Sequence, residues 1–214
     1  MITFGIILAC GNSMRFKQKI PKQIYKINNK LMIEHSIISM KKLDKIIIMT
    51  NHKCFKIISN LSKLYNNIIV LQTASVNRET TLYNAISYIK KNNNYHKINN
   101  IIIHDSARPY INYKHINNLL KYMKHNIYVQ YCMKLTNGLG FIDDKKIKPV
   151  DRDNYIELCT PICLNANFLF NNYDKCYNDN IKEYFEILNI NRLPYKILYD
   201  DYKYLKKITY STDL

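Results

Sequence analysis

ITFGIILACGNSMR, residues 2–15, is the stretch of this chain that decides its fold. Its first part, from Ile2 to Ala9, is a short apolar run that ends at a turn containing Gly11, and this pattern predicts a buried β-strand. The polar loop that follows carries Arg15, and Pro21-Lys22-Gln23 comes soon after. A strand that leads into a glycine-containing, cationic loop is typical of the sheet edge at which α/β proteins bind ligands.

Similar apolar runs recur along the chain, and stretches with helical periodicity separate them. The strands are predicted at Lys45–Thr50, Asn67–Leu71 and Asn99–His104, and the helices at Leu31–Met40, Thr80–Lys91 and His115–Lys124. In the second helix Leu82, Ala85, Ile86 and Ile89 fall on one face. Alternating strands and helices imply right-handed crossovers, so we expect an α/β fold with a Rossmann-like, doubly wound, mostly parallel sheet.

The periodic pattern weakens after Ile127–Met133, a further predicted strand. Thr136-Asn137-Gly138 is a turn signal, and Phe141–Val150 is predicted to return as a strand. We therefore expect residues 134–154 to form a protruding β-arm or hairpin. Because no Pro- or Gly-rich linker divides the 214 residues, a single domain over residues 1–214 is the simplest organisation.

The chain carries a formal net charge of +16. Such an excess can serve nucleic-acid binding, because Lys and Arg neutralise phosphates. The lysines are scattered, however, and no basic tail or nucleic-acid module is present, so a solvated surface is the favoured interpretation and no nucleic-acid partner is expected. The positive field would still attract small anionic substrates.

Cysteine spacing and the N-terminal segment indicate the cellular compartment in which the protein is expected. None of the six cysteines forms a Cys-x-x-Cys pair, and Cys159 and Cys163 lack further ligands at zinc-site spacing. Buried free thiols in a reducing compartment are therefore expected. Met1 to Ala9 is too short to span a membrane, so we expect a soluble, cytoplasmic protein with no membrane partner.

The loop after the first strand could bind phosphate. Gly11 lets the backbone approach a ligand, consecutive amides can form an anion-binding nest, and Arg15 and Lys22 add fixed positive charge. Triphosphates need this combination of donors and cations. The loop is neither a Walker motif nor a dinucleotide fingerprint. An ordinary strand-to-helix turn with exposed cations is the alternative.

Two further groups could share such a site. The strand that ends at His104 delivers Asp105 to the sheet edge, where a carboxylate can hold Mg²⁺ on a triphosphate, and Arg108 could clamp a phosphate. The alternative is an Asp–Arg pair that closes a turn. Arg78 and Thr81, at the start of a helix, could contact a nucleotide. The alternative is that Thr80 or Glu79 caps this helix and Arg78 is only a surface residue.

These groups occur in a fixed order along the chain, together with three others. The ordered motifs are Ala9-Cys10-Gly11-Asn12-Ser13-Met14-Arg15-Phe16, Pro21-Lys22-Gln23, Ile33-Glu34-His35-Ser36, Arg78 with Thr81, His104 through Pro109, Val150-Asp151-Arg152 with Thr160-Pro161, and Lys206-Lys207-Ile208-Thr209 with Asp213-Leu214. Each motif is weak alone, but the collinear set is specific. It resembles the 2-C-methyl-D-erythritol 4-phosphate cytidylyltransferase family of isoprenoid synthesis.

The resemblance implies a role for each matching residue. Three cations, Arg15, Lys22 and Lys207, would be catalytic and stabilise the pentavalent α-phosphate of CTP. The nucleotide would be held by Ala9, Cys10, Gly11, Ser75, Arg78, Thr81 and Asp105. The polyol-phosphate would be bound by Asp105, Arg108, Arg152 and Thr160. Asp105 would also be the ligand of the Mg²⁺ cofactor. The family further implies a homodimer, in which Arg152 would reach from the arm into the partner subunit.

The sequence departs from the family pattern at several positions. Ser13 and Ala74-Ser75 stand where the family has glycines, and Ile162 replaces a Gln. Where such a glycine has a positive φ, a serine costs on the order of 1 kcal/mol. No counterpart of the family's terminal helix is expected after Leu214. The fold should survive these changes, whereas activity could fall.

Three alternatives remain at this point. A ribitol-5-phosphate cytidylyltransferase would share the fold and most motifs, although Ser106-Ala107-Arg108-Pro109 and Val150-Asp151-Arg152 look more like the methylerythritol enzymes. A basic nucleic-acid-binding module would bind with affinity that falls steeply with salt. An inactive homologue kept as a structural protein is the third.

Overall fold

The computed structural model describes residues 1–74, 77–92, 94–178 and 184–214. Eleven strands and seven α-helices are formed within these ranges. The strands are β1 (Ile2–Ala9), β2 (Lys26–Ile27), β3 (Lys30–Leu31), β4 (Lys45–Thr50), β5 (Ile68–Gln72), β6 (Ile98–Asp105), β7 (Tyr128–Lys134), β8 (Leu139–Asp143), β9 (Lys146–Val150), β10 (Ile156–Asn165) and β11 (Tyr195–Tyr199). The helices are α1 (Met32–Met40), α2 (His52–Ser62), α3 (Arg78–Asn92), α4 (Tyr113–Tyr122), α5 (Ala166–Asn178), α6 (Phe185–Ile190) and α7 (Tyr202–Leu205).

Seven of the strands form one sheet in the order β11-β7-β10-β6-β1-β4-β5. β1 is parallel to both of its neighbours, β4 and β6, and β4 is parallel to β5. β11 is parallel to β7, while β10 runs antiparallel to β6 and β7. The predicted α/β architecture with a mostly parallel sheet is therefore confirmed. β1 and β6, the strands that end at the predicted site, lie side by side near the centre.

Helices cover both faces of this sheet because the central strands are apolar on both sides. Ile6 of β1 packs in a cluster with residues of α3 and α5, whereas the next residue, Ile7, packs with residues of α1, α2 and α4. Both isoleucines are fully buried, and burial of such a side chain contributes about 1.5–3 kcal/mol. The predicted apolar face of α3 is buried as expected, at Leu82, Ala85, Ile86 and Ile89.

Helix starts differ slightly from the sequence expectations. α4 begins at Tyr113, two residues earlier than predicted, because Asn112 caps it. The Asn112 side chain accepts a hydrogen bond from Lys114 N at 2.9 Å, and Asn112 N donates to His115 Nδ1 at 3.0 Å. An Asn at this position satisfies backbone groups that would otherwise lack partners.

The arm is a hairpin, but its turn is not where the sequence suggested. β8 and β9 pair antiparallel, and the chain reverses at Asp144 and Lys145, whose φ angles are 43° and 66°. The prediction of one continuous strand over Phe141–Val150 is therefore wrong. Two consecutive residues with positive φ match the right-handed twist of the strands, and this favours a tight reversal despite the lack of Gly.

Candidate active site

A cavity of about 290 Å³ opens where β1 and β6 end and α3 begins. Eight residues predicted for the site line it: Cys10, Gly11, Arg15, Lys22, Arg78, Thr81, Asp105 and Lys207. Leu8, Gln23, Ser106 and Ala107 complete the wall. Segments from both ends of the chain therefore meet at the edge of the parallel strands, where α/β sheets bind ligands.

Asp105 is the anionic centre of this cavity. Its Oδ2 lies 2.9 Å from Lys207 Nζ, and its Oδ1 lies 3.7 Å from Arg78 Nε. Burial alone would raise the pKa of the Asp105 carboxyl, but Lys207 and Arg78 outweigh that effect and hold the pKa below its usual range. Asp105 is therefore ionised and serves as counterion to two cations.

Lys22 is a second charged residue that lines the cavity. Its Nζ donates to Ile208 O at 2.9 Å. Burial, followed by repulsion from Lys207 and Arg15, lowers the pKa of Lys22 to about 8. A cation that is destabilised in this way favours an anionic ligand, because the ligand supplies the missing counter-charge.

Side chains from neighbouring elements shape the loop after β1. Ser13 adopts the left-handed conformation, with φ 58° and ψ 24°. The buried Asn51, at the start of α2, donates through Nδ2 to Cys10 O at 3.2 Å and accepts from Cys54 N at 3.1 Å. The loop is thus fixed to the helix that follows β4.

Lys207 reaches the cavity because the C-terminal segment docks against the loop after β6. Ile208 N donates to Ala107 O at 2.8 Å, and Arg108 Nη1 donates to Leu205 O. The Ile208 side chain is fully buried in a small cluster with Phe16, Ile27 and Met32. These contacts place the Lys207 ammonium beside Asp105.

Thr81 and Cys10 both line the cavity and contact each other. Thr81 Oγ1 donates to Asn77 O at 2.7 Å, and the Thr81 side chain also hydrogen bonds with the Cys10 thiol. Burial raises the pKa of Cys10 to about 11, so the thiol is protonated and unreactive near neutral pH.

Four predicted residues lie outside the cavity wall as the structure describes it. Ala9 is buried at the end of β1. Thr160 is buried, and its Oγ1 accepts a hydrogen bond from Asp105 N at 3.1 Å, so it fixes the backbone of Asp105. Arg108 is only 4% exposed and lies 3.5 Å from Glu157. Arg152 is exposed at the base of the arm, where its Nη1 donates to Thr136 O.

Ser75, also predicted to bind the nucleotide, falls outside the described residues. The substrate roles of Thr160, Arg108 and Arg152 stay predictions. In this structure Arg108 is already engaged by protein groups on two sides, and Arg152 does not share the cavity with Lys22.

Sequence reasoning missed several residues that support the site. The buried Gln130 of β7 donates through Nε2 to Cys159 O at 3.2 Å and accepts from Tyr128 OH at 2.7 Å. It thereby fixes β10 next to Thr160, where the register of β10 shifts. Asn51 could have been found, because it is the polar residue directly after a predicted strand. Gln130 could also have been found, because it is a polar residue inside an otherwise apolar strand.

Neither a membrane span nor a preformed metal cluster is found within the described ranges. No helix there is long and apolar enough to cross a bilayer. In the same ranges no three His, Cys, Asp or Glu side chains come together as a metal site.

Comparison with known proteins places the chain among cytidylyltransferases. The sequence model of the family described as 2-C-methyl-D-erythritol 4-phosphate cytidylyltransferase (IspD) matches residues 3–214. A bifunctional IspD/IspF enzyme of Pelagibacter ubique is 33% identical over 168 residues, which are 77% of this chain and 43% of that protein. The match thus spans less than half of that relative. The 2-C-methyl-D-erythritol 4-phosphate cytidylyltransferase of Azobacteroides pseudotrichonymphae is 26% identical, over 99% of this chain and 95% of its own length.

Solved structures agree on the fold. The synthase of 4-diphosphocytidyl-2C-methyl-D-erythritol from Anaerococcus prevotii superposes with a TM-score of 0.80 at 18% identity, and the match covers 99% of this chain and 94% of that one. The Francisella tularensis cytidylyltransferase gives 0.75 at 24% identity over 100% and 96% of the two chains. At these identities the structures establish the fold alone. The family match over almost the whole length, together with the cavity that gathers its motifs, means that this chain belongs to the 2-C-methyl-D-erythritol 4-phosphate cytidylyltransferase family.

Proposed function

We propose that this chain transfers the cytidylyl group of CTP to 2-C-methyl-D-erythritol 4-phosphate, and that the reacting phosphates meet in the cavity between Lys22 and Asp105. One observation carries the proposal. Among the described residues that line the cavity, four are cations and one is a carboxylate. A site with this excess of positive charge suits a triphosphate and a second phosphate held close together.

The reaction is an in-line displacement at the α-phosphorus. A phosphate oxygen of the polyol-phosphate forms a new P–O bond there, the bond between the α-phosphorus and its bridging oxygen breaks, and pyrophosphate leaves with that electron pair. Little covalent work falls to the protein, so positioning and charge stabilisation dominate. Arg15, Lys22 and Lys207 would hold the equatorial oxygens, on which negative charge accumulates in the transition state.

Asp105 and Arg78 have a different role from the three cations that would hold the α-phosphate. The Asp105 carboxylate pairs with Lys207 and Arg78 in the free site, so it keeps both cations in place before substrate arrives. When the phosphates enter, they supply new partners for these cations. We infer that Arg78 and Thr81, on the first turns of α3, contact the nucleotide half of the substrate.

The donor set is compatible with Mg²⁺ brought by the nucleotide. Proteins commonly hold Mg²⁺ through one or two carboxylates while substrate phosphates and water complete its shell, and Asp105 supplies the carboxylate among the described residues that line the cavity. When bound, Mg²⁺ would neutralise phosphate charge. The surrounding cations repel a bare divalent ion, so we expect Mg²⁺ to bind together with CTP.

We further propose that the β8–β9 arm mediates a homodimer. It exposes Phe141, Ile142 and Ile147, which are 60%, 72% and 76% accessible. An isolated two-stranded hairpin is marginally stable, and clustered exposed apolar residues mark interaction sites. Arg152 at the arm's base would then reach the polyol-phosphate in the partner subunit's cavity.

A reducing, cytoplasmic location fits the thiols. Five cysteines in the described ranges, Cys10, Cys54, Cys132, Cys159 and Cys163, are buried thiols rather than disulfides, as is usual in a reducing compartment. We therefore propose that this protein is located in the cytoplasm.

The decisive experiment is pyrophosphate release from CTP, Mg²⁺ and 2-C-methyl-D-erythritol 4-phosphate, run in parallel with ribitol 5-phosphate. We expect release with the methylerythritol substrate and little with ribitol. Preference for ribitol 5-phosphate would reassign the substrate. Lack of release with either substrate, combined with tight salt-sensitive RNA binding, would favour the nucleic-acid-binding alternative.

A further inference from the structure

Ser13 uses its side chain to join two segments of the site. Its left-handed φ of 58° crowds the Cβ of an L-residue, whereas glycine adopts this conformation freely. The Ser13 hydroxyl compensates by accepting a hydrogen bond from Lys22 N at 3.1 Å and donating to Gln23 Oε1 at 3.0 Å. The Ser13 hydroxyl therefore forms two hydrogen bonds that glycine, which has no side chain, could not form.

Gln23 extends this connection back to the loop. It is 1% exposed, and its Nε2 donates to Gly11 O at 2.6 Å. The ring of contacts from Ser13 through Gln23 to Gly11 ties the segment that carries Arg15 to the segment that carries Lys22. Both segments line the cavity.

The Lys22 residue is thereby held at two points. Its backbone N is bound to the Ser13 hydroxyl, and its Nζ is bound to Ile208 O at 2.9 Å. A long side chain fixed at both ends loses most of the freedom it would have on a surface, so the position of its ammonium depends on both anchors.

We propose that Ser13 is a positioning residue for cytidylyl transfer, whose hydroxyl sets the backbone of Lys22 so that this cation and Arg15 converge on one phosphate. The inference rests on the catalytic roles proposed above for Lys22 and Arg15. A small displacement of a group that acts in the transition state costs rate more than it costs substrate binding. The hydroxyl should therefore affect kcat more than KM.

Two substitutions separate this role from a merely structural one. Ser13→Gly removes the hydroxyl and also relieves the backbone, whereas Ser13→Ala removes the hydroxyl and keeps the crowded backbone. We expect Ser13→Gly to keep or raise the Tm and yet lower kcat about tenfold, with KM for CTP changed by less than about twofold. Ser13→Ala should lower both Tm and kcat.

A serine that is only structural gives the opposite result for Ser13→Gly, namely wild-type kcat in a protein at least as stable. That result, or wild-type kcat in Ser13→Ala, would overturn the positioning role. Ser62→Gly is the matched control. Its hydroxyl donates to Ser59 O at 2.8 Å at the end of α2, and Ser62 does not line the cavity, so kcat should stay at the wild-type value.

Lys22→Met distinguishes failure of this inference from failure of the proposed function. If Lys22→Met is inactive while Ser13→Gly is fully active, the role of Ser13 alone is wrong. If Lys22→Met turns over at the wild-type rate, the assignment of Lys22 is wrong and the role of Ser13 falls with it.

Discussion

Lys207 Nζ lies 2.9 Å from Asp105 Oδ2, although the two residues are 102 positions apart in the chain. The contact joins the end of β6 to the segment that follows α7. Because Arg78 approaches the same carboxylate from α3, Asp105 is enclosed by cations before any substrate is present.

Mg²⁺ should bind to this protein only together with the nucleotide. The cations that surround Asp105 repel a bare divalent ion, whereas the triphosphate of CTP neutralises them and adds oxygen ligands. Calorimetric titration of the free protein with Mg²⁺ should give no binding heat, and titration in the presence of a non-hydrolysable CTP analogue should give clear binding. Asp105→Asn should weaken the second titration. Equal Mg²⁺ affinity with and without the analogue would contradict the arrangement.

Loss of either loop cation should nearly abolish turnover. Lys22→Ala and Arg15→Ala each remove a charge that we propose stabilises the transition state, and we expect kcat to fall by at least about a hundredfold, by analogy with loss of an oxyanion donor. Circular dichroism should show an unchanged fold. Lys19→Ala is the matched control, because Lys19 is exposed in the same region and does not line the cavity. Near-normal turnover in both variants would rule out the catalytic assignment.

Activity should decline at alkaline pH because Lys22 loses its proton there. The pKa of Lys22 in the free protein is lowered to about 8 by burial and by Lys207 and Arg15. As pH rises through that value the ammonium becomes neutral, so kcat/KM, which reports the free enzyme, should fall above about pH 8. Bound phosphates favour the charged form, so the corresponding fall in kcat should occur at higher pH.

The lowered pKa of Lys22 also makes the stability of the folded protein depend on pH. The folded-state pKa of Lys22 lies below its unfolded value, so the protonated lysine destabilises the fold at neutral pH, and the penalty disappears as pH rises past the unfolded pKa. Lys22→Met should therefore have a higher Tm than wild type at pH 7, and the difference should shrink by pH 10. A Tm below wild type at pH 7 would contradict this account.

The arm prediction can be tested by mixing two inactive variants. If Arg152 serves the partner's cavity, Arg152→Ala and Lys22→Met should each be inactive alone. In a mixed dimer, the Arg152→Ala subunit keeps its own Lys22 and receives Arg152 from the other subunit, so one intact cavity forms. Activity should return when the two proteins are mixed and allowed to exchange subunits.

Two controls belong to that mixing experiment. Ile142→Asp and Ile147→Asp place charges on the apolar hairpin, and light scattering should then report a monomer. Mixtures that contain these substitutions should stay inactive. If the mixture of Arg152→Ala and Lys22→Met also stays inactive although dimers form, Arg152 does not act across subunits.

The sequence predicted the central fold because the strands that matter are nearly continuous apolar runs. Ile46, Ile47 and Ile48 are all fully buried, and such runs predict strands covered on both faces. The cavity residues were also identified from ordered motifs that follow these strands, such as Asp105 after β6. Local pattern was sufficient wherever a residue's role follows from its own strand or helix.

Contacts between distant segments could not be obtained in this way. Nothing in the sequence indicates that Ile208 O would hold Lys22 Nζ, or that Gln130 would fix the carbonyl of Cys159, because both contacts depend on how separate segments dock. The turn at Asp144 and Lys145 was missed for a local reason, since neither residue is a strong signal for positive φ.

The three cations Arg15, Lys22 and Lys207 also bear on how the reaction ends. Pyrophosphate leaves with most of the charge of the triphosphate, so the cations gathered around the α-phosphate also attract this product as it departs. Pyrophosphate is then expected to compete with CTP for these cations. An enzyme built in this way depends on its surroundings to keep pyrophosphate scarce, and accumulated pyrophosphate would drive the reaction backwards.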